Sequence, residues 1–365
     1  MNVTNKNNKN RLNYKKSISI FFFIVCLFVG FHFITWNLFT KKILSGNNNG
    51  DLARLAYLPQ FKHLRDFTDD LPRRHIEFSE FKGGNVDVLT IGDSFSNGKG
   101  GGRNRFYQDY LASKQNINVI NINPYTIDPE DQLNPFHTLI LLLNSGLIDD
   151  LKPQIILIES VERFACNRAS KINFDLMVDK NKLLNFYSKK YNKDNDIIRN
   201  TFINNGNLKY YLSQYKLYAG YKHIYNVALA DLDRKLFSLS KGNILLFPVD
   251  ELKAIQDNYE LCVNNLNKNI NMLSDILIKK DIKLYFMLVV DKYNLYSKFI
   301  VNNPFKKSSI FELMELENKK YYFINTKTIL SNELYKNNTQ DLFYIDDTHW
   351  SWKASELIFS NVTVK

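Results

Sequence analysis

The sequence predicts an α/β protein built on a parallel sheet and preceded by one transmembrane helix, and three observations carry that expectation. The run SISIFFFIVCLFVGFHFITWNLF, from Ser17 to Phe39, holds no Asp, Glu, Lys or Arg. Beyond a polar linker, short apolar β-runs alternate with segments of helical spacing. The first β-run stops at Gly92-Asp93-Ser94, a turn sequence at the kind of position where parallel sheets carry their sites.

The uncharged run is long enough to cross a hydrocarbon core of ~30 Å. No small-residue cleavage site follows it, so it reads as an uncleaved signal anchor over residues 17–39. His32 is tolerable near an end of the span, and Trp36 suits the membrane–water interface. Lys6, Lys9, Arg11, Lys15 and Lys16 precede the run, whereas only Lys41 and Lys42 follow closely. The positive-inside tendency keeps residues 1–16 in the cytoplasm and exports the rest, so an extracytoplasmic domain is expected.

Residues 40–82 are expected to form a stalk and an entry segment, and residues 83–365 the folded domain. Within it, Val86, Val88, Leu89 and Ile91 make the first strand. A short helix at Gln108 to Ala112 leads to a second strand in Asn116 to Asn123. A helix from about Leu133 to Leu147 leads to a third, Pro153 to Ser160. Residues 170–246 carry no readable motif and are expected to be a mostly helical insertion. Helical spacing returns from Asp250 to Lys280, followed by strands at Ile282 to Val290 and Tyr321 to Ile324. A closing helix follows, with Ser351 near its N-cap.

Composition narrows the partners. The 365 residues are 45% hydrophobic, with 27 Phe and 21 Tyr, which suits a folded chain with a full core. A formal charge of +11 admits nucleic acid, an anionic membrane surface or an acidic polymer. The cations are dispersed among Asn and Tyr, and no RNP, zinc-finger or helix-turn-helix signature occurs, so nucleic acid is not expected. Runs such as NKNNKN and SGNNNG fit a compositional bias and point to no function. Of the three cysteines, Cys26 lies in the apolar run. Cys166 and Cys262 are open to pairing in an oxidising compartment or to remaining two buried thiols, and the spacing suits no zinc site.

Two short motifs can do chemistry together. A serine on the turn leaving a strand is accessible, but its hydroxyl is a poor nucleophile until a base takes its proton. Asp346-Asp347-Thr348-His349-Trp350, before the last helix, supplies a histidine for that work and an acid to orient it. This pair resembles the SGNH/GDSL hydrolase superfamily, with Ser94 matching the nucleophile, His349 the base and Asp346 the orienting acid of its Asp-x-x-His block. It resembles still more the SGNH-like polysaccharide O-acetyltransferases of the alginate O-acetylation type. Their Asp-x-His-Trp motif is matched by Asp347 to Trp350, and their PDKYxxY stretch by Val290-Asp291-Lys292-Tyr293-Asn294-Leu295-Tyr296.

The two family patterns select different acids. The serine precedes the histidine here, as in ordinary SGNH enzymes, so Asp346 is preferred over Asp347. The resemblance covers roughly Val86 to Ser160 and Ile282 to Val362. It implies a three-layer, flavodoxin-like sheet and a membrane-anchored O-acyltransferase, using acetyl groups and acting on an exported polysaccharide. It further implies a multi-span membrane-bound O-acyltransferase as acyl supplier, and neither cofactor nor metal. An esterase using water as acceptor, and a non-catalytic glycan-binding subunit of an export complex, are the alternatives.

Asp93, Phe95, Gly98, Arg163, Lys292, Tyr293 and Trp350 are assigned to the oxyanion hole or the substrate wall, with Arg163 and Glu162 equally suited to a structural ion pair. The superfamily's oxyanion glycine and asparagine have no counterpart. Asn121, Asn123 and Pro124 stand near the second strand, and Glu159, Glu162 and Arg163 after the third. The Ser94 backbone N–H and the Gly98 to Gly102 loop are the remaining donors. His63, His75, His137 and His223 are expected at the surface or in packing.

Overall fold

The computed structural model describes residues 3–44, 50–58, 65–126, 134–169, 172–189, 201–239, 242–255, 259–337 and 339–365. Helix α1 (Val3–Thr35) continues through a π-turn at Trp36–Thr40 into α2 (Lys41–Leu44). The stretch Tyr14–Leu44 has a mean hydropathy of 2.5 at its most apolar and is long enough to cross a membrane. Its side chains from Ile20 to Phe28 are mostly exposed, as a lipid-facing helix requires.

After α3 (Asp51–Leu55), the central sheet gathers β1 (Ile76–Glu77), β2 (Val88–Ile91), β3 (Val119–Ile122), β4 (Ile155–Val161), β8 (Lys283–Val289) and β9 (Tyr322–Asn325). Its order is β1-β3-β2-β4-β8-β9, and every neighbouring pair is parallel. The five expected strands all form. The two-residue β1 was too short to leave a periodic signal.

Between the strands run α4 (Tyr107–Gln115), α5 (Pro135–Asn144), α6 (Leu147–Leu151) and α7 (Glu162–Ala169). The chain continues through α8 (Lys180–Tyr187), α9 (Gly206–Tyr218), β5 (His223–Ile224), β6 (Val227–Asp231) and β7 (Ile244–Pro248). Then come α10 (Val249–Ala254), α11 (Tyr259–Ile278), α12 (Lys292–Tyr296), α13 (Ile310–Leu316), α14 (Thr326–Asn337) and α15 (Trp352–Asn361). Helices α4, α14 and α15 cover one face of the sheet, and α5, α7 and α11 the other. All seven residues of β4 are therefore buried, which explains its unbroken apolar run IILI. Local chemistry sets the helix starts. Asn134 accepts from Phe136 N at 3.0 Å ahead of Pro135, and Ser351 Oγ accepts from Lys353 N at 3.1 Å.

Two expectations need correction. The insertion is not mostly helical: beside α8 and α9 it forms an antiparallel sheet in the order β5-β6-β7. The hairpin between β5 and β6 turns on Tyr225-Asn226, with Tyr225 at φ +53°, and so lacks the glycine that marks such turns in a sequence. Nor is the segment after the anchor a free stalk. Leu52, Ala53, Ala56 and Leu58 are buried against Ile224, Val227, Leu229 and Leu246 of the small sheet. Cys166 of α7 and Cys262 of α11 are disulfide-bonded across 96 residues, with Cα atoms 5.5 Å apart.

Candidate active site

At the carboxyl end of β2 the chain turns sharply at Gly92. A Cβ there would lie 2.0 Å from Ser96 Oγ and 2.3 Å from Glu159 Oε2, so only glycine allows this approach. Glu159, near the end of β4, clasps the turn. Its Oε2 accepts from Asp93 N at 3.0 Å, Ser96 N at 3.2 Å and Ser96 Oγ at 2.8 Å. Asp93 points inward as well, accepting from Phe95 N at 3.1 Å, Val161 N at 3.1 Å and Arg168 Nη1 at 2.5 Å. Asn121 and Gln108 donate to Ser96 O at 3.3 and 3.0 Å. Asp93 and Asn121 thus build the turn and do not face a substrate. Ser94 is left half-buried where β2 and β4 separate toward β3 and β8, the point at which strand order reverses.

The loop before α15 brings its histidine to this serine. His349 Nε2 lies 2.8 Å from Ser94 Oγ, and His349 Nδ1 lies 2.6 Å from Asp347 Oδ1. Asp347 Oδ1 also accepts from His349 N at 2.9 Å. The orienting acid is therefore Asp347, and the preference for Asp346 is corrected. Asp346 turns the other way, accepting from Gly50 N at 3.0 Å and Arg65 Nη2 at 3.2 Å. Arg65 Nη2 also donates to Asp347 Oδ2 at 3.1 Å, and its Nε to Gly100 O at 2.6 Å, while its guanidinium lies over the Tyr344 ring. From α3, Asp51 accepts from Thr348 N at 2.8 Å and Thr348 Oγ1 at 2.5 Å, with its Oδ2 3.9 Å from His349 Nδ1.

Lys292 opens α12 and is fully buried. Its Nζ donates to the carbonyls of Tyr344, Ile345 and Asp347 at 2.7, 2.8 and 2.9 Å, binding the loop at three points. Burial lowers its pKa to about 8, although Asp346 and Asp347 pull the other way. Burial also opposes the charged form of His349, but the charge and hydrogen bond of Asp347, followed by Asp51, outweigh it and hold the imidazole above its ordinary value. Asp347 is held well below the usual carboxylate range because His349 and Arg65 overcome its burial, and it stays ionised. Burial, and then the Asp93 charge, push Glu159 well above that range.

The remaining predicted residues divide into walls and supports. Phe95 packs against the His349 ring at 4.8 Å and edge-on to Trp350 at 5.0 Å, a hydrophobic wall behind the imidazole. Gly98, at φ +62°, donates its N–H to Phe95 O within its own turn. Arg163 is ion-paired with Asp291 and lies 3.7 Å from Glu251, the structural role rather than the substrate contact. Glu162 accepts from Asp291 N at 3.0 Å and from Asn294 Nδ2 at 2.7 Å. Tyr293 donates its hydroxyl to Lys306 O at 2.9 Å and packs on Phe247.

His75 pairs with Asp109 at 2.7 Å, His137 accepts from Asn173 N at 3.3 Å, and His223 is exposed in β5. His63 lies outside the described residues. Arg65, Gly50 and Asp51 were missed because their segment has neither periodicity nor motif.

Chemically, the arrangement can take a proton from Ser94 Oγ onto His349 Nε2 while Asp347 steadies the imidazolium. The Ser94 N–H has no acceptor among the described residues and is available to a developing oxyanion. Asp51, Asp347 and His349 also bring three metal-ligand atoms within 4.8 Å of one another. Both His349 nitrogens are already engaged, however, by Ser94 and Asp347. No protein-family model matches the chain, and a search of curated proteins finds no match.

Proposed function

We propose that this protein is a membrane-anchored O-acyltransferase of the SGNH type that moves an acyl group, acetyl by resemblance, onto a hydroxyl of an exported polysaccharide. The observation that carries the reading is the hydrogen-bonded chain Ser94–His349–Asp347 at the carboxyl ends of the strands. Counting only the five strands after β1, the order is 2-1-3-4-5, that of flavodoxin-like sheets, which supports the fold implied by the resemblance. The choice of Asp347 supports the Asp-x-His-Trp pattern, and with it transfer. The Cys166–Cys262 disulfide supports an oxidising compartment outside the cytoplasm.

In the first step Ser94 Oγ attacks the donor's acyl carbon as its proton passes to His349, which returns that proton to the departing group. In the second, a sugar hydroxyl attacks the acyl-serine, its proton goes to His349, and Ser94 Oγ leaves and takes it back. A multi-span membrane acyltransferase would be the partner that supplies the donor. The test is to incubate the full-length protein in detergent with p-nitrophenyl acetate, with and without an oligosaccharide acceptor. Intact-mass analysis should show acetyl on Ser94, and the acceptor should gain acetyl. Release of acetate alone at every acceptor concentration would make it an esterase. A Ser94→Ala protein that still sustains glycan acylation in cells would make it a non-catalytic subunit.

A further inference from the structure

Helix α9 is built inside out for a water-soluble domain. Leu208, Tyr211, Leu212, Tyr215 and Tyr218 recur at three- and four-residue steps along one face, and all are exposed: 55% for Leu208 and Leu212, 63% for Tyr215 and 91% for Tyr218. The face turned to the protein carries Gly206, Asn207 and Ser213, all buried, and Gln214, which donates to Tyr57 O at 3.1 Å. Water would favour the opposite arrangement, and an apolar stripe of this kind marks a contact.

Its neighbour identifies the contact. Helix α9 lies against the end of the apolar helix: Phe39 stacks on Tyr210 at 4.8 Å and 12°, and Phe31 approaches Tyr211 at 5.6 Å. Asn207 Nδ2 lies 2.8 Å from His32 Nδ1, covering the one imidazole between Ser17 and Phe39. The anchor beside it likewise exposes apolar side chains, Phe33, Ile34 and Leu38.

We propose that α9 lies in the interfacial layer of the same bilayer that α1 crosses, its leucines among the upper acyl chains and its tyrosines at headgroup level. Tyrosine suits that position because its ring is apolar and its hydroxyl is not. The Asn207–His32 contact removes from lipid a polar pair that would be costly there. The domain then rests on the membrane by two elements instead of swinging on one. Only five residues, six Cα steps, lie between Leu44 and Gly50, which touches Asp346, so the histidine loop lies within ~20 Å of the anchor's end. The proposal requires α1 to cross a bilayer and is independent of the acyl chemistry.

The test uses full-length protein carrying Cys26→Ser, reconstituted in phosphatidylcholine–phosphatidylglycerol liposomes. L212C, Y215C and, as control, I278C are each labelled with an environment-sensitive fluorophore. Ile278 is exposed and ends α11 just before β8, at the amino ends of the strands and away from the site. All three positions point outward, and near-UV circular dichroism checks each labelled fold. Labels at 212 and 215 should be blue-shifted and quenched several-fold more strongly than that at 278 by lipids bearing a nitroxide near the headgroup. Quenching no stronger than at 278 would overturn the proposal. So would a blue shift without nitroxide quenching, which would mean that another copy of the chain covers the stripe.

Discussion

The two halves of the site are held in opposite ways. The serine turn is fastened from inside the sheet, by Glu159 and Arg168 reaching over from β4 and α7. The histidine loop is fastened from outside it, by Gly50, Asp51 and Arg65 of the segment after the anchor and by Lys292 beneath. Ser94 thus belongs to the core fold, while His349 is set by the piece of chain that follows the apolar helix. Damage to that lead-in segment should misplace the base and leave the serine turn intact.

The largest contrast lies between the two aspartates. Asp347→Asn should lower kcat by about 10⁴, the loss typical when the orienting carboxylate of a serine–histidine pair becomes an amide. Asp346→Asn, which touches Arg65 and Gly50 but not the imidazole, should cost about tenfold or less. Equal losses in acyl transfer from p-nitrophenyl acetate would remove the distinction. Next, Lys292→Met should reduce kcat by about 10²-fold with little change in KM, because three loop carbonyls lose their donor and a small displacement of a positioned group is expensive. Labelling of Ser94 by a small fluorophosphonate would report the same loss if the base has moved.

A smaller effect is expected in the pH profile. His349 must be neutral to accept the proton, and its pKa is raised above the ordinary 6.5, so kcat/KM should rise with pH through a midpoint above 6.5. Asp51→Asn removes one of the charges that hold it up, and the midpoint should move toward acid. A midpoint that stays fixed would mean that Asp51 does not act on the imidazole. The smallest change should come from the other half of the site. The role of Glu159 there is that of an acceptor, so Glu159→Gln, which keeps one for the turn, should alter kcat less than about threefold, whereas Glu159→Ala removes the clasp and should lower both activity and thermal stability.

Much of this was legible in the chain. The anchor, the five longer strands, the cap at Ser351, and the pairing of a Gly-Asp-Ser turn with an Asp-Thr-His-Trp loop all rest on residues a few positions apart. Their chemistry is local: hydrophobic period, turn geometry, a side chain capping its own helix. What tertiary structure alone decided lies at long range. Arg65 meets Asp346 across 281 residues and Gly50 meets it across 296. Neither contact leaves a pattern in a window of sequence. The same distance hid which of two adjacent aspartates faces the histidine, and that α9 turns its apolar side outward beside the anchor. Periodicity can tell that a helix has two faces, but only its neighbours determine which face meets the protein.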